Sequence, residues 1–414
     1  MEISCLKRYK EIAMEKFEGI SKIRIGHRSE ILNQIRRCGP LSRTELCEKT
    51  TISKPTVGRV VEDLLAQGFI RETGSGVSQL GRKPVQIELN PEARYCIGVN
   101  ISRNHLLVSL VNFTMEVIAK KSLSIKGIGD PEIFKQTIAQ SILELVRGKK
   151  LDQQKVLGVG IGAPGIVDYN RGIILDFAIA HQLVDIHLKD YLWEKTGWEI
   201  AIDNNANTRA LGEYWYGFGV GCQNLIYVIC SEGVGNGIII EGKVLRGKNC
   251  FTTGLGHMIV NADGRSCHCG RSGCIETYSS TEALERNTRE ALQKGAKSLL
   301  LEKVGHQPDK VDYELICRCA EAGDSLCIQM LEEAAAYLSV GLANQVGTFN
   351  PELIVLSGAL FDAYPPFFEK VRTLTLEKVF PLLARDVIIK KRQVRDNLYE
   401  AGAATLIFKS FFND

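Results

Sequence analysis

Three cysteines fall within eight residues, as Cys267-x-Cys269-x4-Cys274, and this loop constrains the chain more than any other stretch. Gly270 and Gly273 fold the loop between the last two. Zinc takes four soft or borderline ligands in a tetrahedron, and thiolate sulfur and imidazole nitrogen suit it. Three thiolates from one short loop leave a single corner open. His257 lies ten residues upstream, and His268 sits between two of the cysteines. His257 is the better fourth ligand, because His268 points away if both its neighbours face one ion. The competing reading is three buried thiols without a metal. So tight a cluster of cytosolic thiols favours the ion.

The rest of the chain is ordinary in composition and uneven in charge. At 414 residues it is too long for one small core and implies two or three domains. Apolar residues make up 45% and charged residues 24%, the balance of a globular protein in water. No run of 18 apolar residues exists, so no membrane span is expected, and the first ten residues lack the apolar core of a leader. Thirteen cysteines, mostly scattered through apolar segments as Cys96 and Cys230 are, fit a reducing cytoplasm better than a disulfide framework. The formal charge is +3. Residues 1–89 hold 16 Lys and Arg against 11 Asp and Glu, so 16 − 11 gives +5 and leaves −2 for the remainder. A basic head on a slightly acidic body suits a polyanionic partner.

The head reads as three helices and a wing. Residues 1–21 are an N-terminal extension with a short helical pattern. His27 to Cys38 carries Ile31, Leu32 and Ile35 on one face, and Gly39-Pro40 stops it. Ser42-Arg43-Thr44-Glu45 is a capping box for a second short helix through Lys49. Ser53 caps a third, with Pro55 tolerated in its first turn. Val57, Val60, Val61, Leu64 and Leu65 form its apolar face, and Gly68 closes it. This order predicts a helix-turn-helix whose third helix enters the DNA major groove. Ser53, Lys54, Thr56 and Arg59 would meet phosphates and base edges, Arg in particular matching guanine. Phe69–Glu72 and Val85–Leu89 alternate as two strands. The Gly/Ser-rich stretch between them ends Gly81-Arg82-Lys83-Pro84. Arg82 and Lys83 at such a wing tip would reach a minor groove or phosphates. The bland alternative is a three-helix scaffold whose polar face meets only water.

The body alternates strands and helices. Tyr95 to Val111 reads as paired strands around Asn100-Ile101-Ser102-Arg103-Asn104. A helix follows from Pro131 to Arg147, then a buried strand from Val156 into Gly162-Ala163-Pro164-Gly165-Ile166-Val167-Asp168. Ile202-Asp203-Asn204-Asn205-Ala206-Asn207 leads into a helix through Glu213. Leu225–Ile229 is a strand, followed by the glycine-rich Ser231 to Ile240. Thr281 to Ala322 is helical and amphipathic. Leu331 to Thr348 is a long helix feeding the strand Leu353–Leu356, with Ser357-Gly358 after it. Val387–Lys390 is a last strand. Asn397 to Phe412 is a terminal helix, whose aromatic end suits core packing.

Gly256-His257, followed by Cys-x-Cys-Gly-x-x-Gly-Cys-x-Glu through Glu276, resembles the signature of the ROK family of repressors, open reading frames and sugar kinases. The Ala163-Pro164-Gly165 turn, the Asn204–Asn207 stretch and the wing are similar to that family as well. The resemblance covers residues 22 to 412. It implies an N-terminal winged helix-turn-helix fused to an α/β, actin-like (ribonuclease H-like), two-lobed sugar-kinase fold. It divides the chain into an extension (1–21), a DNA-binding head (22–89), an N-terminal lobe (90–204, with helix 396–412 packing back) and a C-terminal lobe (205–395). It implies that His257, Cys267, Cys269 and Cys274 hold one structural zinc per chain, with no open coordination position for chemistry. It also implies that Asn204, Asn205, His257 and Glu276 face a sugar or sugar phosphate.

Four departures from the family's kinases stand out. Their Asp-x-Gly-Gly-Thr phosphate turn is Asn100-Ile101-Ser102-Arg103-Asn104 here, without the glycines that let phosphate approach the backbone. Their general base falls on Asn205, and an amide cannot take up the proton. Asp203, two residues earlier, is the one substitute base in reach. A phosphate-facing Thr corresponds to Glu232, and a sugar-binding Glu to Gly254. Phosphoryl transfer depends on charge stabilisation and positioning, so the expectation is a cytoplasmic sugar-responsive transcriptional regulator, a repressor and not an enzyme. It would bind double-stranded operator DNA as a homodimer or homotetramer, without a membrane partner. The alternatives are an active sugar kinase with a DNA-binding head, and a repressor controlled by a protein partner.

Overall fold

The structure is a computed structural model that describes residues 22–75, 84–177, 183–248, 254–393 and 401–412. It divides into two compact units. One holds residues up to Tyr95, Asn112–Thr114 and the chain from Phe408; the other holds Cys96–Val111 and Met115–Ile407.

The first unit is a winged helix. Helices α1 (Lys22–Cys38), α2 (Arg43–Lys49) and α3 (Lys54–Ala66) follow in order. The capping box forms as its sequence dictates. Ser42 Oγ accepts from the Glu45 N–H at 3.2 Å, and the Glu45 carboxylate accepts from the Ser42 N–H at 2.7 Å. Ser53 departs from expectation. It stands at the N-cap with extended backbone, but its hydroxyl caps no N–H and meets the Thr56 hydroxyl at 3.0 Å. The cause is local: Pro55 supplies no N–H at one of the two positions an N-cap side chain serves.

Strands β2 (Ile70–Ser75) and β3 (Val85–Leu89) pair antiparallel, Ile70 opposite Leu89. The two-residue β1 (Leu41–Ser42), which no periodicity announces, adds to β3 with Leu41 opposite Ile87. The wing tip, with Arg82 and Lys83, lies outside the described residues. Ile31, Leu32, Ile35, Leu46, Val57, Val60, Val61, Leu64 and Ile87 form the core. Leu65 is only half buried. Phe69 extends this core, with ring centroids 5.8 Å from Phe113 and 5.4 Å from Phe411. Phe412 stacks on Phe113 at 5.4 Å. Phe113, Phe411 and Phe412 thus complete the core of this unit.

The second unit has two lobes, each built on a five-stranded sheet. The first sheet has the order β11-β7-β4-β5-β6. Its members are β4 (Tyr95–Ile101), β5 (His105–Asn112), β6 (Val117–Ser124), β7 (Val156–Ala163) and β11 (Glu199–Asn204). Edge strand β6 was not legible, because Lys120 and Lys121 mask its alternation; charged edges of this kind discourage further pairing. A small antiparallel sheet of β8 (Ile166–Asp168), β9 (Ile173–Asp176) and β10 (Val184–His187) flanks it. Helix α4 (Pro131–Gly148) buries Phe134, Ile138 and Ile142. β11 runs parallel to β7, Asn204 beside Ala163, and passes directly into α5 (Asn205–Tyr216).

The second sheet has the order β14-β13-β12-β15-β16. It comprises β12 (Leu225–Cys230), β13 (Val234–Ile240), β14 (Lys243–Val244), β15 (Leu353–Ser357) and β16 (Ile388–Lys391). Helices α6 (Thr281–Gln293), α7 (Ser325–Phe349) and α8 (Pro365–Lys378) pack on it. By length and composition α7 is long and apolar enough to cross a membrane, but Leu331, Leu338, Leu342 and Val346 bury into this lobe's core with Phe367 and Val371. The described part of the terminal helix is a tight turn at Gly402–Ala404 and α9 (Thr405–Phe412). A Cβ at Gly160 of β7 would sit 1.9 Å from the Ala403 carbonyl oxygen, so glycine alone permits that approach.

Candidate functional site

The cysteine loop is shaped by backbone that only glycine adopts easily. Gly270 and Gly273 have φ of 84° and 74°, and a Cβ at Gly273 would lie 1.6 Å from the Asn261 carbonyl oxygen. The resulting turn brings Cys267, Cys269 and Cys274 together with His257, their donor atoms all within 4.8 Å of one another. The Cys269 and Cys274 sulfurs are 3.7 Å apart, and Cys267 Sγ is 3.6 Å from His257 Nδ1. A tetrahedral ion with metal–sulfur bonds of about 2.3 Å and a metal–nitrogen bond of about 2.1 Å sets S···S edges of about 3.8 Å and S···N edges of about 3.6 Å. The group thus fits a metal ion of zinc's size and preference.

The thiols differ in acidity. At Cys269 burial opposes ionisation, but hydrogen bonds from Arg271 and from the other two cysteines outweigh it and bring the thiol down to about 7. Burial pushes Cys274 up to about 12, with the Cys269 and Cys267 thiols adding to the effect. A metal that binds all three must displace their protons.

His268 takes a different role. Its ring stands edge-on to that of His257 at 5.2 Å, and its Nε2 meets Glu276 Oε1 at 2.8 Å. Glu276 opens a short helical turn directly after Cys274-Ile275, and its Oε2 accepts the Val234 N–H at 2.8 Å. A Cβ at Gly233 would come within 2.8 Å of that oxygen. The cysteine loop, the β12–β13 turn and Glu276 are thereby joined. The pairing of His268 with Glu276 and the part of the Val234 N–H were not read from sequence, because neither signals its partner locally.

α5 starts at Asn205. Asn204 is its N-cap, accepting the Ala206 N–H at 2.8 Å, while its Nδ2 donates to the Gly165 carbonyl at 2.8 Å. Asn205 is half buried, and its side chain makes no hydrogen bond among the described residues. A Cβ at Gly235 would touch Ala206, which sets the first turn of α5 against the strand that holds Glu276.

Asp203 is engaged on three sides. It is 1% exposed, accepts from the Asn204 N–H at 2.7 Å and from Asn207 Nδ2 at 2.8 Å, and forms an ion pair with Arg246. Arg246 in turn lies 4.2 Å from the Tyr169 ring. At the other altered positions, Asn100 is buried, and Ser102 bonds the His105 carbonyl through both its N–H, at 2.9 Å, and its hydroxyl, at 3.0 Å. Arg103 pairs with Glu282 of α6, and Glu232 is exposed. A separate cavity of about 580 Å³ lies past Gly358, lined by Tyr313, Arg318, Asp362 and Lys391 among others.

On the winged helix, Ser53, Lys54 and Arg59 are exposed and Thr56 is half buried, opposite Val57 and Val60. No ion pair engages Lys54 or Arg59 among the described residues.

The ROK family model matches residues 96–410, and a MarR family model matches residues 26–77. The xylose repressor of Bacillus spizizenii is 28% identical over 383 residues, 92% of this chain and 95% of that protein. A crystal structure of a ROK family transcriptional regulator, described as a homolog of the E. coli MLC protein, superposes with a TM-score of 0.81 at 24% identity, over 95% of this chain and 98% of that one. A ROK glucokinase from Streptomyces griseus, in complex with glucose and AMPPNP, superposes with a TM-score of 0.63 at 26% identity, over 75% of this chain and 98% of that one. With the cysteine loop, the two lobes and the winged helix in place, these matches lead to one conclusion: the chain belongs to the ROK family.

Proposed function

We propose that this protein is a sugar-responsive transcriptional repressor. The third helix of the winged head meets operator DNA through Ser53, Lys54, Thr56 and Arg59, with Arg82 and Lys83 at the wing. A neutral or phosphorylated sugar is held between Asn204, Asn205, His257 and Glu276. One zinc on His257, Cys267, Cys269 and Cys274 fixes the loop that presents Glu276; it is a structural ion with no share in chemistry. The protein acts as a homodimer or homotetramer, since paired heads read paired half-sites.

The observation that carries the choice of regulator over kinase is the engagement of Asp203. It is the carboxylate two residues before the position where a base would stand, and it is engaged by Arg246, Asn207 and the Asn204 N–H. Asn205 offers only an amide, which donates and accepts hydrogen bonds but does not take a proton at neutral pH. The name of the xylose repressor supports a pentose-sized effector.

Selection from a random duplex pool gives the preferred operator, and gel-shift titration with and without D-xylose or D-glucose then tests the response. Sugar is expected to weaken the wild-type complex. Glu276→Ala should bind the operator as tightly as wild type and lose the response. Sugar-dependent ADP release at ordinary kinase rates, about 1–100 per second, would overturn the reading.

A further inference from the structure

His268 touches two of the proposed sugar contacts. Its ring meets the His257 ring edge-on at 5.2 Å, and its Nε2 lies 2.8 Å from Glu276 Oε1. The loop backbone sets this up. The Cys267 N–H donates to the Arg271 carbonyl at 2.7 Å, and the Gly270 N–H donates to the Cys267 carbonyl at 3.0 Å. Cys267 and Cys269 turn inward to the cluster, and His268 between them turns toward Glu276. The His268 side chain is 56% exposed and that of Glu276 15%, so the pair opens to solvent.

Both Glu276 oxygens are held. Oε2 accepts the Val234 N–H at 2.8 Å, where Gly233 leaves it room. An ionised carboxylate only accepts, so His268 Nε2 carries the hydrogen and donates to Oε1. The last torsion of a glutamate is broad, and the Val234 bond alone would let Oε1 swing. With His268 donating as well, the plane of the carboxylate is fixed. Each oxygen has two lone pairs, so one on each remains for a hydroxyl.

A rival use of the same atoms is metal binding. The donor atoms of His257, Cys267, His268 and Glu276 also lie within 4.8 Å of one another. That set shares His257 and Cys267 with the three-cysteine set, so a four-coordinate ion takes one set or the other. The three-cysteine set already has the sulfur–sulfur and sulfur–nitrogen spacings of a tetrahedron. It leaves the His268–Glu276 pair outside the ion.

We propose that His268 is a positioning residue for the effector: its Nε2–H sets Glu276 so that the carboxylate accepts from one hydroxyl of a sugar. The inference rests on the sugar response proposed above. It divides the work of the loop. The cysteines and His257 hold the ion, and the residue between two of those cysteines aims the carboxylate. Loss of the donor weakens every sugar that presents that hydroxyl and leaves unchanged a sugar that lacks it.

Calorimetric titration tests this. Wild type, His268→Ala and His268→Gln are titrated with D-xylose, D-glucose and the monodeoxy forms of whichever sugar binds, and zinc content is measured for each variant. The glutamine amide can place an N–H where Nε2 of the ring stands. His268→Ala is expected to lose about tenfold in affinity, the worth of one hydrogen bond, and His268→Gln to recover most of it. Both should keep the zinc content of wild type. One monodeoxy sugar should bind wild type and His268→Ala equally, because it lacks the hydroxyl that Glu276 accepts. An equal loss on every deoxy form would make the residue merely structural and overturn the proposal. Loss of zinc in His268→Ala would make it a metal ligand instead, and a glutamine no better than alanine would deny the part given to the Nε2–H. If wild type binds sugar and His268→Ala binds it as well, the positioning role is refuted while the repressor reading stands. If wild type binds neither sugar, the sugar response itself falls and takes this role with it.

Discussion

Replacing Asp203 by Asn keeps the shape of the side chain and removes its charge. Asp203 accepts from a backbone N–H, from the Asn207 amide and from the Arg246 guanidinium, all donors, at 1% exposure. An asparagine must turn its own N–H groups toward at least one of them. Removing one partner of a buried ion pair costs about 3–5 kcal/mol, because the other charge is stranded. Arg246 is not fully stranded. Its side chain keeps 22% exposure, and the Tyr169 ring stays beneath it. The lower end applies, about 3 kcal/mol, which at about 2–4 °C per kcal/mol lowers the melting temperature by roughly 6–12 °C. The double change Asp203→Asn with Arg246→Met should recover part of that loss, since no buried charge remains. Thermal unfolding followed by circular dichroism reads both. A single variant melting within about 1 °C of wild type would refute the locked role. Such a variant that also abolished sugar-dependent ADP release would identify Asp203 as a working base.

Cys269→Ser, which removes the most exposed of the four metal-side donors, should abolish the one zinc per chain that elemental analysis is expected to find, and should lower the melting temperature. Stoichiometric metal in that variant would exclude Cys269 as a ligand. Arg59→Ala should relax operator choice at one base position by about 1–3 kcal/mol, read by gel shift against a panel of single-base operator variants at two salt concentrations. An equal loss on every duplex would instead place Arg59 on phosphate.

Features that depend on a few neighbouring residues were legible in the sequence. The Ser42–Glu45 capping box closes within one turn, and the cysteine spacing with its two glycines brings the three thiols together with His257. Features made by distant partners were not. Nothing near His268 says that it will meet Glu276, and Arg246 shows no sign of Asp203 until β11 and the segment after β14 come together. Asn236 looked like one more residue in a glycine-rich strand, and its side-chain oxygen accepts the Leu255 N–H only because the fold brings Leu255 beside it. Ser53 shows the opposite case. Its local signal was read correctly as an N-cap position, but Pro55 removed one of the donors it would serve.

The aromatic core of the head has a consequence for when the protein can begin to act. Phe69 packs against Phe411, and 411 − 69 is 342 residues of synthesis. At about 5–20 residues per second that interval is roughly 17–70 s. For most of it the three helices have been made, yet Phe69 lacks the Phe411 ring that covers it. The nascent chain therefore carries the three helices with the flank at Phe69 still open. The last rings of the head's core are made only after both lobes, so its packing is completed last.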